Sequence, residues 1–354
     1  MKVFYLLTLI IGLSLLSCLS STQKGVSIEG NQFYFNSEPT YKGVSWNGHQ
    51  IEGLLFNSRM VQGIFDDLNP ATLESFIYPD TKQWDAQRNT REFVAAMEDW
   101  KKHGLLSFTL NLQGGSPLGY GNKGWINSAF NPDGSLDEAY TQRLALIMDE
   151  AKRLDMVVIL GLFYFGQDEY LMDEQAVIQA VDEIACWISN NNYRNVLIEV
   201  ANECDIFYDH EILKPERIVE LIARVQKHGL LCSASFSGGV IPHSRVVKQS
   251  DYILLHGNAV EKPEGITYMV NKVKNMPEYS GQPIVFNEDD HFGFDQDNYN
   301  LKAAVESYAS WGYFDYRHQG ESFENGFQSV PVNWTISSER KRAFFNKIKE
   351  ITNY

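Results

Sequence analysis

Cysteine is scarce in this sequence. Of 354 residues four are Cys, and only Cys186, Cys204 and Cys232 lie beyond residue 18. An odd, widely spaced set excludes a disulfide framework. The three also lack metal-site spacing and read as buried small hydrophobes. Positive charge is short as well: 30 Lys and Arg stand against 45 Asp and Glu, a formal charge of −15. That balance argues against nucleic acid and against an anionic membrane face as partners. It disfavours a strongly anionic polysaccharide more weakly, because a local basic pocket overrides a global field. No internal repeat, low-complexity run or Pro/Gly/Ser linker follows residue 25. One domain spanning 26–354 is therefore expected. No apolar run is followed by GxGxxG or GxxxxGK[ST], the Gly-rich turns that cradle phosphate in doubly wound sheets. What is present is an ordinary globular composition, 44% hydrophobic and 21% charged, with eighteen Tyr and twenty-one Phe.

The single long hydrophobic run is at the N-terminus. "MKVFYLLTLIIGLSLLSC" has Lys2, an apolar stretch and a small-residue exit, the layout of a targeting segment rather than a fold element. Leu15-Leu16-Ser17-Cys18 resembles the bacterial lipoprotein signal, which implies lipidation at Cys18, a signal peptide over 1–18 and a polar tether over 19–25. The expected location is the cell envelope, anchored by lipid; an ordinary cleaved signal would instead give a secreted or periplasmic protein.

Beyond the tether, "VSIEGNQFYFNSEPTYKG" alternates apolar residues around Gly30-Asn31, a hairpin pattern expected to cap one end of the domain. The chain then alternates between two periods. Strand-like runs are "SRMVQGIFDD", "LLSFTLNLQGG", "MVVILGLFYFG", "NVLIEVANE", "LLCSASFSGG", "DYILLHGN", "PIVFNEDD" and "GYFDYRHQG". "TYKGVSWNG" competes for the first place. Between them lie helical stripes: Phe93, Met97 and Trp100, with Gly104 as the stop; Val177, Val181, Ile184 and Ile188; Ile218, Leu221, Ile222 and Val225; and Phe344, Ile348 and Ile351, started by "SSER". Strand then helix, eight times over, predicts an α/β fold, a (β/α)8 barrel with a small N-terminal hairpin cap.

Catalytic groups of such barrels project from the C-terminal ends of the strands. Those ends read Asp66/Asp67, Asn111/Gln113, Tyr164/Gln167, Asn202/Glu203, Ser235/Ser237, His256/Asn258, Asn287/Glu288 and Arg317/His318. Two of them, "VANE" and "VFNE", end in Asn-Glu, in the fourth and seventh runs. Paired carboxylates across a barrel mouth are the equipment of glycoside hydrolysis, one protonated to serve the leaving oxygen and one ionised to attack the anomeric carbon. Proximity helps to separate their pKa values.

On these residues the chain resembles the clan A glycoside hydrolases, the retaining (β/α)8 superfamily that includes the cellulase-like family five. The resemblance implies Glu203 as acid/base, Glu288 as nucleophile and Asn202 as the partner of the sugar 2-hydroxyl. His256, in "LLHGN", matches a strand-six position near the catalytic centre. The chain departs from the pattern in several places. Cys204 stands where Pro usually follows the strand-four Asn-Glu. Asn111 stands where strand two usually ends in Arg, leaving Arg59 as the candidate to keep the nucleophile ionised. Strand eight lacks its terminal Trp, leaving Trp334 in "PVNW" as the candidate substitute. The family within the clan is therefore left open.

Asn111 and Gln113 are also candidates for sugar hydroxyls, against the plainer role of bracing turns. Trp84, Trp125 and Trp334 are candidate stacking platforms, against ordinary packing. Glu199 shares a face with Glu203 by period-two alternation but lies deeper, as the partner of an Arg or His. "EDDH", 288–291, invites a metal, but consecutive residues are not expected to face one ion, and the reading carries no metal and no cofactor. Long loops after the second and eighth runs are expected to close over the mouth and favour a pocket acting on short glycans. The expected function is retaining hydrolysis of O-glycosidic bonds in a neutral oligo- or polysaccharide. The alternative is a non-catalytic glycan-binding lipoprotein on the same barrel.

Overall fold

The structure, a computed structural model, describes residues 25–120 and 124–354. The signal-peptide and Cys18 expectations lie outside these residues. Among the described residues no helix is long and apolar enough to cross a membrane.

The chain begins with an antiparallel sheet, β1 (Val26–Glu29), β2 (Gln32–Phe35) and β3 (Glu38–Pro39). Its first turn sits at Gly30-Asn31, with Gly30 at φ 60° and Glu29 opposite Gln32, as the hairpin pattern predicts. Val26 N–H donates to Arg194 O (2.8 Å), and the buried Phe33 ring meets Tyr252 edge-on. Arg194 and Tyr252 each precede a barrel strand, so this sheet closes the N-terminal end of the barrel, the floor. A second short hairpin follows, β4 (Ser45–Trp46) and β5 (His49–Gln50).

Eight parallel strands then form the wall: β6 (Asn57–Ser58), β7 (Ser107–Asn111), β8 (Val157–Tyr164), β9 (Val196–Asn202), β10 (Leu231–Ser233), β11 (Ile253–His256), β12 (Ile284–Glu288) and β13 (Gly312–Tyr313). Ladders join β7 through β10, β11 to β12, and β13 to β6. Single contacts bridge the remaining seams. Arg59 pairs with Thr109 and Val285 with Ser310. Between β10 and β11, Asp251 N–H donates to Cys232 O and Gly239 N–H to His256 O, both at 3.0 Å. The wall is therefore continuous around the ring, a (β/α)8 barrel.

Helices α1 (Ala86–Lys102), α2 (Glu138–Arg153), α3 (Glu174–Asn190), α4 (Ile218–Lys227), α5 (Ser244–Gln249), α6 (Pro263–Lys274), α7 (Asn300–Glu306) and α8 (Glu339–Thr352) lie between or after the strands. Asp85, Asp137, Asp173 and Ser338 cap four of them, each accepting an otherwise orphaned N–H of the first turn. The predicted stripes all face inward. Gly104 follows α1 at φ 83°, a conformation that favours glycine.

Two strands differ from the sequence reading. β6 takes only the start of "SRMVQGIFDD", and "TYKGVSWNG" supplies β4 instead. Asp66 and Asp67 therefore belong to a loop, where Asp66 accepts from Trp84 Nε1 and Asp67 from the Asn69 and Ile126 amides. β13 is two residues long, so Arg317 and His318 also lie beyond the strand. Arg317 ties the following loop together by donating to Ser329 O (3.0 Å).

Candidate active site

Phe108 of β7 packs on Phe93 and Trp100 of α1, so its neighbours Thr109 and Asn111 face the barrel interior. Asn111 lies opposite Gly161, where an added Cβ would stand 2.3 Å from Asn111 Oδ1; only glycine admits this amide. Gly161 in turn lies opposite Glu199. Asn111 and Glu199 thus share one interior layer. Asn287 Nδ2 reaches across to Glu199 Oε2 at 3.2 Å. β9 and β12 are not neighbours, so this bond crosses the barrel. Glu199 is buried, as expected, but its direct partner is an amide rather than Arg or His.

One level up, the chain brings Arg59, Asn202, Glu203, His256 and Glu288 together. Arg59, just past β6, donates from Nη2 to Asn202 Oδ1 (2.8 Å), and its Nε lies 3.0 Å from Glu288 Oε2. Three strands that share no ladder along the wall are so joined across its mouth. His256 ends β11; its Nδ1 lies 3.0 Å from Glu203 Oε1 and 3.6 Å from Glu288 Oε2. Asn258 Nδ2 donates to Glu288 Oε1 (2.9 Å) and to Tyr120 OH (3.0 Å). A carboxylate oxygen of Glu203, one of Glu288 and a ring nitrogen of His256 all lie within 4.8 Å of one another.

Glu203 adopts φ 52°, the left-handed region that non-glycine residues rarely occupy. Two bonds from the chain beyond β10 hold it there: Glu203 N–H donates to Ser235 Oγ (2.9 Å) and Cys204 N–H to Ser235 O (3.0 Å). The turn lets the backbone leave the strand while the carboxylate stays over the mouth. Strain of this kind survives only where surrounding bonds enforce it.

Electrostatically the carboxylates are not equivalent. Burial pushes the Glu288 carboxyl above its ordinary range, while Arg59 and His256 pull against that rise. Burial alone would lower the His256 imidazole, but Glu288 and Glu203 outweigh it and raise it. Arg59 touches Glu288 and not Glu203, which gives the pair a built-in asymmetry.

Glu203, His256 and Glu288 are residue types that also bind metals. Here Arg59 already pairs with Glu288, and His256 Nδ1 is committed to the carboxylates, so a cation would have to displace or oppose a guanidinium. The donor set does not suit one. At Asp289, Asp290 and His291 the sequence expectation needs correcting: one ligand atom of each does come within 4.8 Å of the others. Asp289 is nonetheless occupied as a brace, accepting from Trp311 Nε1 (2.8 Å), Asn300 Nδ2 and the His291 amide.

Two predicted sugar contacts are elsewhere. Asn111 is fully buried, three residues below the level of Asn202 in the wall, roughly 10 Å down the barrel. Trp334 is buried against α1, its ring 4.7 Å from Phe93 and its indole N–H donating to Asn89 Oδ1 (3.0 Å). No face remains for a sugar. Trp334→Phe is expected to cost about 1–3 kcal/mol of stability by orphaning Asn89 while leaving ligand binding unchanged, checked by thermal unfolding and titration. Trp84 and Trp125 are likewise structural: Trp84 stacks on Tyr78, and Trp125 donates to Gly114 O. Gln113 braces the loop by donating to Ser128 Oγ and Gln167 O.

The loops that follow β7 and β13 meet beside β6. Val330 N–H donates to Pro117 O (2.6 Å) and Gln328 Nε2 to Gly115 O (2.6 Å). From the first of them Tyr120 reaches the rim and packs edge-on against Phe314 and Tyr316. Ser235 and Asn258 stand among the strand ends read from the sequence, and Tyr120 in the loop expected over the mouth, but the contacts that Ser235 makes to the Glu203 amide and Asn258 to Glu288 and Tyr120 come only with the fold.

No family model and no curated protein matches the sequence. Solved structures do match. A glycoside hydrolase family 5 mannosidase from Rhizomucor miehei aligns over 94% of this chain and 99% of its own, with a TM-score of 0.56 and 12% identity. The fold is that of family 5 glycoside hydrolases. A broad-specificity family 5 endoglucanase from Clostridium longisporum aligns over 84% and 97%, with a TM-score of 0.52 and 11% identity. A Bacteroides vulgatus structure described as a glycoside hydrolase aligns over 88% of this chain, which spans 59% of that one, with a TM-score of 0.54 and 12% identity. At such identity the family 5 likeness carries the architecture; any chemistry rests on the side chains above.

Proposed function

We propose that the chain is a retaining glycoside hydrolase acting on a neutral oligo- or polysaccharide. The observation that carries this reading is the convergence of Glu203 and Glu288 within 4.8 Å, with Arg59 on Glu288 alone. Retaining enzymes hold their carboxyl groups about 5–5.5 Å apart, whereas inverting ones leave about 6.5–9.5 Å for a water. Ionised Glu288 attacks the anomeric carbon and forms a glycosyl ester as the glycosidic C–O bond breaks. Glu203, whose Oε1 lies 3.0 Å from His256 Nδ1, gives its proton to the departing oxygen. Water then attacks the anomeric carbon, Glu203 takes its proton, and Glu288 leaves. Asn202, oriented by Arg59, is the donor to the 2-hydroxyl, a contact that strengthens in the oxocarbenium-like transition state.

The meeting of the two long loops beside β6 supports a mouth closed on that side and action on short glycans. A lipid anchor at Cys18 would hold the enzyme at the cell envelope. The test is a screen of aryl glycosides and oligosaccharides, with the product anomer read early by NMR. Retained configuration is expected; inversion contradicts the mechanism.

The pH profile follows from the same contacts. Since burial raises the Glu288 carboxyl, the acid limb of kcat/KM is expected above the ordinary glutamate value of 4.5. Below that limb Glu288 is protonated and cannot attack, so the rate falls as pH falls. Arg59→Met removes the first of the influences that hold Glu288 ionised, and the limb moves up by about 1–3 pH units. A limb that stays in place contradicts the assigned role of Arg59.

A further inference from the structure

Three aromatic rings run outward from the catalytic pair. Tyr164, at the end of β8, is buried and feels the charges of Glu203, Glu288 and Arg59. Its hydroxyl meets Ser116 Oγ at 3.1 Å, and Gly115 makes room for the ring, since an added Cβ there would stand 1.9 Å from it. Phe165 stacks on Tyr164 with centroids 4.2 Å apart and planes 26° apart. Phe207 then meets Phe165 edge-on at 5.5 Å. Phe207 is 72% exposed, the highest value among the large exposed hydrophobic side chains. Its position is fixed from below: the neighbouring Tyr208 is buried and donates to Asn202 O (2.6 Å), directly beneath Glu203. Nothing in the fold explains a phenyl ring held in water at that place.

Direction decides what it serves. The group that protonates the leaving oxygen stands on the leaving-group side of the anomeric carbon. Glu203 directly follows β9, and Phe165 and Phe207 lie in the segments that follow β8 and β9. Glu288 is instead bonded by Asn258, which also reaches Tyr120, and Tyr120 packs on Phe314 and Tyr316. We infer that Phe207, backed by Phe165, is the platform for the first sugar ring of the leaving group. The enzyme therefore cleaves sugar–sugar bonds, and a pyranose with an apolar C–H face stacks on Phe207 while Glu203 protonates the oxygen it carries. An open aromatic face suits such a ring, offering apolar area without a hydrogen-bonding demand. This rests on the glycosidase reading above.

The experiment compares two substrates with the same glycone: an oligosaccharide, and the glycosyl fluoride, whose leaving group has no ring. Phe207→Ala is expected to lower kcat/KM on the oligosaccharide by about 10-fold or more, mainly through KM, and to change the fluoride by less than about twofold. Phe207→Trp keeps both activities. An equal loss on both substrates reports general damage to the site and overturns the proposal, as does no loss on either. Wild-type turnover of the fluoride with none of any oligosaccharide overturns it too. Wild-type turnover of neither removes the glycosidase reading itself, and is distinguishable because it appears before any substitution. Since Phe207 is exposed, the alanine variant is expected to melt with the wild type.

Discussion

Glu288→Gly is expected to abolish hydrolysis, by on the order of 10⁴-fold or more, and azide to restore turnover of an activated aryl glycoside. The reason is spatial. Glu288 sits at the mouth, held by Arg59 Nε at 3.0 Å and Asn258 Nδ2 at 2.9 Å, with its side chain almost wholly buried. Glycine removes the carboxylate and leaves a gap that a small anion can enter, with Arg59 still present to favour it. Azide then attacks the anomeric carbon from the face Glu288 used, and the product is a glycosyl azide of inverted configuration. A variant that keeps more than about a tenth of its activity contradicts the role given to Glu288. So does an azide product of retained configuration.

Glu203→Ala separates the two halves of the reaction. With a poor leaving group, loss of the proton donor slows glycosylation by about 10²–10⁴-fold. With a dinitrophenyl leaving group, which needs no proton, glycosylation proceeds and the second half fails instead, because no base activates water. The expected signature is a burst of dinitrophenolate followed by a slow steady state. Azide, which needs no base, speeds that steady state and yields a glycosyl azide of retained configuration. Equal losses on good and poor leaving groups, with no burst, would mean that Glu203 does not act as acid/base. The left-handed backbone at Glu203 makes the choice of alanine sensible: the replacement keeps the Ser235 bonds to the main chain at 203 and 204.

How much of this was legible before the fold was known follows from the length of each element. β8 and β9 are long apolar runs with polar ends, and the "VANE" and "VFNE" endings marked Glu203 and Glu288 correctly as neighbours across a rim. β6 and β13 contribute two residues each, too few to show a period, so the first strand was read several residues too far and Asp66/Asp67 were taken for its end. Asn111 does end its strand, but strands in a tilted, staggered barrel do not end at one height. Its amide lies in the layer of Glu199, below the site. Trp334 was misread for a different reason: its partner Asn89 is 245 residues away, a distance no local pattern reports. Arg59 is the sequence's candidate for the nucleophile's cation because Asn111 stands where strand two usually ends in Arg; its bonds to both Asn202 and Glu288 depend on three strands meeting across the mouth. Phe207 had no sequence signal, since exposure is a property of the folded chain.

The central claim is that Glu288 forms a covalent bond to the sugar. It is tested most directly by incubating the enzyme with an activated 2-deoxy-2-fluoro glycoside, digesting it, and locating the added mass. The account predicts one sugar per chain, carried on Glu288 within the peptide "PIVFNEDD", and loss of the label on slow reactivation. A label on Glu203 or any other residue, or a wild type that turns over the parent glycoside with inversion and takes no label, would contradict it.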